Sequence, residues 1–275
     1  MTLKSTSPLL LFFFLSYFNA EALSPKKTYK ETPHDLRMTF EEYSIPSTDG
    51  AMVKAWYFPS DLGDQLMIVS HDGVGNMGSY VKRVQVLIQY GFSVIVYDYR
   101  GFGESSDFEI NNLNYVYKEF YDDFDAVYAF SEEKFHHELI AYGWGIGAGI
   151  SLARGFTKDD IAGIVADEPF YDFRQMTSQF RKIQALMQFP SGLENTKYDT
   201  KMALKQQPGK NLRGLLFLHG NHNFLFDASD IEQIMTVTNH DYKEIHEFEK
   251  SNRMDNFSLN ASEYCRAIYA FALNL

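Results

Sequence analysis

The sequence predicts a single α/β domain, a mainly parallel sheet covered by helices on both faces. Three observations predict it. Short, continuous apolar runs recur along the chain, as expected of strands buried on both faces. Stretches with helically spaced apolar residues lie between them. With 45% hydrophobic and 22% charged residues, the 275-residue chain can build one large core without disulfide or metal support.

Residues 1–22 read as a signal peptide. Lys4 precedes the apolar run 9–18, and Ala20 and Ala22 fit an A-x-A cleavage site. The run is short for a membrane span. The expected location is therefore secreted or periplasmic, with an uncleaved membrane anchor as the alternative. Residues 23–38 are polar, contain Pro25 and Pro33, and read as a leader ahead of a domain at 39–275. Strands are expected at 39–45, 52–58 and 66–70, then a helix at 78–90 stopped by Gly91. A strand at 93–97, a helix at 114–131 and a strand at 139–142 follow. The glycine-rich turn 143–149 opens a helix to about 156, and 161–166 is the next strand. The stretch 171–189 has an amphipathic helical pattern and begins a short cap insertion at 171–210. Its Phe180, Leu186, Met187 and Phe189 fit either a cleft lining or the core. A strand at 215–218, a helix at 229–239, a strand at 243–248 and a helix at 261–273 complete the chain.

A net charge of −11 leaves no broad basic field for a phosphate backbone, which excludes nucleic acid as a partner. The single cysteine, Cys265, cannot form an internal disulfide and belongs to no zinc pattern, so it reads as a half-buried helix position near the C-terminus. Two sequons, at Asn256 and Asn260, matter only in a source that glycosylates secreted proteins.

In such a sheet, ligands bind beyond the carboxyl ends of the strands. Four loops occupy those positions: His71-Asp-Gly-Val-Gly-Asn76, Asp98-Tyr-Arg-Gly-Phe-Gly-Glu-Ser105, Gly143-Trp-Gly-Ile-Gly147 and His219-Gly-Asn-His-Asn223. In this order they resemble the α/β-hydrolase fold, in particular serine hydrolases of the serine aminopeptidase S33 kind. The resemblance covers nearly all of the chain after residue 22. It implies a serine at a nucleophile elbow, an acid after the later strand, a histidine before the last helix and an oxyanion loop.

Position by position, the chemistry departs from that pattern. The elbow serine corresponds to Gly145, which has no side chain to attack a carbonyl. The acid corresponds to Asn223, an amide that cannot supply the charge an imidazolium needs. The histidine corresponds to Arg253, or to Met254 with a one-residue shift, and arginine does not act as a base. The oxyanion loop is His71, Asp72 and Gly73, with a carboxylate at Asp72 that would oppose an oxyanion. Trp144 and Ile146 flank the elbow and complete the candidate cleft.

The expected function is that of a catalytically degenerate member that binds a small molecule or a protein in the former cleft. The resemblance implies no cofactor. One alternative is a working hydrolase with displaced groups, drawn from Ser79, Ser105 or Ser151 and a nearby histidine, or with Asp227 as substitute acid. Another is a dinucleotide site, because Gly143, Gly145 and Ala148 fit G-x-G-x-x-A and Asp167 lies 24 residues after Gly143. Structural roles are expected for Asp98, Arg100, His240 and His246, and for Asp167 and Glu168 as a hydrogen-bonded strand end. A metal site from His71, His219, His222 and Asp72 lacks ligand spacing.

Overall fold

A computed structural model describes residues 23–182, 185–223, 228–252 and 255–275. The expected signal peptide at 1–22, Asp227, Arg253 and Met254 lie outside the described residues.

In chain order the elements are β1 (Ser24–Pro25), β2 (Glu41–Pro46), β3 (Met52–Phe58), β4 (Gln65–Ser70), β5 (Val74–Gly75), a 3-10 turn (Met77–Tyr80) and α1 (Val81–Gln89). They continue with β6 (Ser93–Tyr97), α2 (Lys118–Lys134), β7 (Glu138–Trp144), α3 (Ile146–Gly155), β8 (Ile161–Asp167), α4 (Phe173–Lys182) and α5 (Thr200–Leu204). The last are β9 (Gly214–Gly220), α6 (Ala228–Val237), β10 (Lys243–Phe248) and α7 (Asn256–Ala272).

The main sheet has the order β10-β9-β8-β7-β4-β6-β3-β2. Its pairings are parallel except at β2–β3 and β3–β6. The apolar runs supply both faces by alternation. Leu66, Ile68, Ile95 and Tyr97 point to the side covered by α2, α3 and α6. Met67, Val69, Val94 and Val96 point to the side covered by α1 and α7. Helix α1 shows the matching period, burying Val81, Val84 and Leu87. Each fully buried aliphatic side chain of this kind contributes roughly 1.5–3 kcal/mol. Cys265 is one of the buried α7 residues, and burial pushes its thiol up to about 12, so it stays protonated and inert.

Two expected elements differ. The helix expected at 171–189 is described only as α4, Phe173–Lys182. Pro190 disfavours helix at the residue before it. The Gln188 backbone instead pairs with 113–115, donating to Leu113 O at 2.8 Å and accepting from Tyr115 N at 2.9 Å. In the segment where a cap was expected, Phe180 is buried, Leu186 is exposed, and Met187 and Phe189 are partly buried against the core.

The segment 23–38 is not a detached leader. Its β1 pairs in parallel with β5, matching Ser24 to Val74 and Pro25 to Gly75. Downstream, the ring of Tyr29 packs on Trp56 at 4.7 Å between centroids, and Phe40 contacts Trp56 and Phe58.

Candidate functional site

Strand order reverses around β4, which lies between β7 and β6. The loop after β4 and the turn after β7 therefore meet where α/β sheets place ligands. At the end of β7 the backbone turns through Gly145 with φ 57° and ψ −118°, and α3 begins at the next residue. A side chain in this conformation is strained, whereas glycine adopts it at little cost. The flanking glycines have steric reasons of their own. A Cβ on Gly143 would lie 2.3 Å from the carbonyl carbon of Gly147, and one on Gly147 would lie 2.0 Å from Ser70 O. The close packing at Gly143 and the positive φ of Gly145 account for the two glycines of the dinucleotide-like motif without a phosphate.

The loop after β4 is tied to itself. His71 is fully buried, and its Nδ1 accepts the Gly73 N–H at 3.1 Å. The ring proton therefore sits on Nε2, which faces Asp98 Oδ1 at 3.8 Å, beyond hydrogen-bonding distance. Burial pushes the imidazole down to about 3 and keeps it neutral. Asp98 is also buried, which pushes its carboxyl up to about 7 despite hydrogen bonds from Tyr29 and the Met77 N–H. Asp72 does not face an oxyanion position as a bare charge. Its Oδ1 accepts the Val74 N–H at 3.1 Å and the Tyr80 hydroxyl, so it shapes its own loop.

At the end of β9, where the acid was expected, Asn223 donates from Nδ2 to Glu168 Oε2 at 2.6 Å. Glu168 follows β8 with φ 53°. It also accepts from Gly220 N at 2.6 Å, Asn256 Nδ2 at 2.9 Å and His219 Nδ1 at 3.0 Å. Burial opposes the charged form of His219, but its hydrogen bond and charge contact with Glu168 outweigh that and raise its pKa. The neighbouring Asp167 accepts from Asn256 Nδ2 at 2.8 Å and from the Tyr264 hydroxyl at 2.6 Å. Its carboxyl is pushed up to about 6 by burial, against the opposing charge of Arg83. Asp167 and Glu168 thus form the hydrogen-bonded strand end that the sequence suggested.

Arg83, a residue the sequence reading missed, closes this network. Its guanidinium lies 4.1 Å from the Trp144 ring centre and 4.5 Å from that of Phe257, and it donates to the Tyr142 hydroxyl at 3.3 Å. Only its spacing on α1, one residue before the buried Val84, could have signalled this.

The remaining candidates separate. His71, Gly73, Trp144 and Ile146 are buried, and Asp72 is half-buried. Ser105 donates to Asp98 O at 2.6 Å and accepts from Lys54 N at 2.8 Å, Ser151 is buried within α3, and Ser79 is exposed on the 3-10 turn. His240 bonds the Leu212 carbonyl, His246 bonds Glu263 at the surface, and His222 is exposed. Arg100 is held by Asp123 and Asp49. Among the described residues, no group of three His, Cys, Asp or Glu side chains is placed to hold a metal ion.

Comparison with known proteins agrees with this geometry. Residues 63–193 match the family described as serine aminopeptidase, S33. An uncharacterized membrane protein of Saccharomyces cerevisiae is 23% identical over 155 residues, which is 54% of this chain and 52% of the yeast one. The Escherichia coli K12 protein YfhR, also uncharacterized, is 33% identical over 70 residues, covering 24% of this chain and 25% of its own. The chain thus spans about half the length of the first relative and a quarter of the second. An esterase of Pyrococcus furiosus superposes with a TM-score of 0.72 at 15% identity, over 90% of this chain and 96% of the esterase. A predicted CIB-like hydrolase of Thermoplasma acidophilum superposes with a TM-score of 0.60 at 16% identity, over 86% of this chain and all (100%) of that one. By sheet order, elbow and these matches, the chain has the α/β-hydrolase fold, and over residues 63–193 it is similar to the serine aminopeptidase S33 family.

Proposed function

We propose that this chain is a non-catalytic α/β-hydrolase that acts by binding. The observation that carries the proposal is Gly145. The elbow backbone that would present a nucleophile is intact at φ 57° and ψ −118°, but no reactive atom stands on it. Two further features support the reading. Asn223 offers an amide where an imidazolium would need a carboxylate, and its Nδ2 is engaged by Glu168. The Gly73 N–H, in the loop where an oxyanion donor would be sought, is spent on His71. Triad residues act as a unit, and losing the nucleophile alone costs on the order of 10⁶ in turnover.

The expected result with short- and medium-chain activated esters is turnover indistinguishable from buffer. Gly145→Ser should not restore it, because no carboxylate stands at 223, and the added side chain should cost about 1–3 kcal/mol of stability at this positive φ. Turnover by the parent protein that survives Gly145→Ala would place the nucleophile elsewhere and end the proposal.

The protein is proposed to leave the cytoplasm by its 1–22 segment. An N-terminal sequence of the exported protein beginning at Leu23 is the expected result. Recovery of the intact segment in the membrane fraction would favour the anchor reading, a possibility the yeast relative's description as a membrane protein also suggests.

A further inference from the structure

The segment 23–31 lies across the loops that follow β4 and β6, on the ligand side of the sheet. Its contacts form an ordered series. The Leu23 side chain is fully buried, and its Cδ2 lies 2.5 Å from where a Cβ on Gly73 would stand. Ile146 Cδ1, from the residue after the elbow glycine, approaches the same point to 2.9 Å. Leu23 therefore fills the gap between the oxyanion loop and the start of α3. The backbone then adds a strand. Ser24 N donates to Gly73 O and Lys26 N to Gly75 O, each at 2.9 Å. The carbonyl of Lys26 accepts from Gly103 N at 2.9 Å and from Asn76 Nδ2 at 3.0 Å, and Thr28 O accepts from Asn76 Nδ2 at 3.0 Å.

Six residues after the aliphatic anchor, the Tyr29 hydroxyl donates to the buried Asp98 at 2.7 Å and accepts from Glu104 N at 3.2 Å. The lysines between these two anchors, Lys26 and Lys27, are exposed, as is Lys30 just beyond the second. The groove has also been kept clear for a backbone. A Cβ on Gly78 would come within 2.5 Å of Glu31 O and 3.1 Å of Tyr29 Cδ1. A Cβ on Gly103 would come within 2.5 Å of the Tyr29 hydroxyl, and within 1.9 Å of Asp98 Oδ2.

An aliphatic side chain in a pocket, main-chain hydrogen bonds along an edge and a second anchoring side chain downstream are the elements of peptide recognition by strand addition. We propose that the groove between loops 71–78 and 98–105 is a peptide-binding site, occupied here by the chain's own residues 23–30. From a partner it takes an extended segment of the same chemistry, an aliphatic residue followed six positions later by a tyrosine. The chain's own segment is a tethered competitor at an effective concentration of roughly millimolar order. A partner peptide therefore gains access when that segment is weakened or withdrawn. The inference does not depend on whether catalysis has been lost.

The test uses the full chain and a fluorescein-labelled peptide of residues 23–30. The double variant Leu23→Asp, Tyr29→Phe alters only the tethered occupant and leaves the groove unchanged. Saturable binding of the peptide to this variant is expected, at least about tenfold tighter than to the parent. A peptide with its first Leu replaced by Asp is expected to bind at least about tenfold more weakly. Absence of binding to a folded double variant, or equal binding of both peptides, overturns the proposal. Hydrogen exchange on the parent protein gives a second readout that needs no variant. The amides of Ser24, Lys26 and Gly103 are expected to exchange at least about tenfold faster than those of Met67 and Val96, through opening that leaves the sheet folded. Exchange of all five amides at one rate would make the segment an inseparable part of the core and overturn the proposal equally.

Discussion

Glu168→Ala is expected to lower the stability of the fold by about 3–5 kcal/mol, read as the urea midpoint at unchanged slope. The carboxylate accepts from the backbone of Gly220, from the side-chain amides of Asn223 and Asn256, and from His219. Removing it takes away an acceptor shared by four donors, of which Asn256 Nδ2 keeps Asp167, and each buried donor left unpaired costs about 1–3 kcal/mol. Glu168→Gln is expected to cost less. His219 can carry its proton on the other nitrogen and the Asn223 amide can turn, so both can meet an NH2 group placed at the Oε2 position. The Gly220 N–H cannot turn and keeps the remaining oxygen. A loss below about 1 kcal/mol for Glu168→Ala would mean that water replaces the carboxylate, and that the end of β8 is open to solvent rather than sealed.

Gly147→Ala is expected to yield little or no folded protein. The new methyl would lie 2.0 Å from Ser70 O, 2.5 Å from Ser70 C and 2.9 Å from His71 O, all backbone atoms of β4 and the loop after it. A flexible side chain could move aside, but the centre of a sheet cannot. Helix α3 would have to lift, and overpacking of this kind costs about 1–3 kcal/mol even where side chains yield. Gly155→Ala, at the other end of the same helix, provides the contrast. Its methyl would meet Ala141 Cβ at 3.1 Å and Ile164 Cδ1 at 3.5 Å. That crowding is offset by about 1 kcal/mol of helix propensity, so near-neutral stability is expected. Equal thermal midpoints for the two variants would show that α3 is not pinned at its N-terminus.

The sequence was most informative where one residue carries one constraint. Buried parallel strands announce themselves as apolar runs, and β3 and β10 begin and end where expected, at 52–58 and 243–248. The elbow was legible because a strand-to-helix turn with almost no space around it admits only glycine at Gly143 and Gly147. The 171–189 helix was overextended because its apolar spacing continues past α4. A backbone pairing with 113–115, which leaves no local trace, takes over there. Asp72 read as an electrostatic obstacle because its type was visible and its direction was not; Tyr80 and the Val74 N–H turn it aside. The 23–38 segment was read as a leader because most of the attachment of its first residues is made by main-chain atoms, which composition does not register. Its two anchoring side chains, Leu23 and Tyr29, are isolated among polar residues and form no periodic pattern.

The chain contains two tryptophans. One of them, Trp56, lies under Tyr29, its ring centroid 4.7 Å from that of the tyrosine. The other, Trp144, lies under the Arg83 guanidinium beside the elbow. The molecule therefore carries its own pair of optical reporters, one at the N-terminal segment and one at the turn between β7 and α3. Replacing either indole with phenylalanine leaves a single emitter. The colour and intensity of its light then follow one of these two regions in solution, without an added dye.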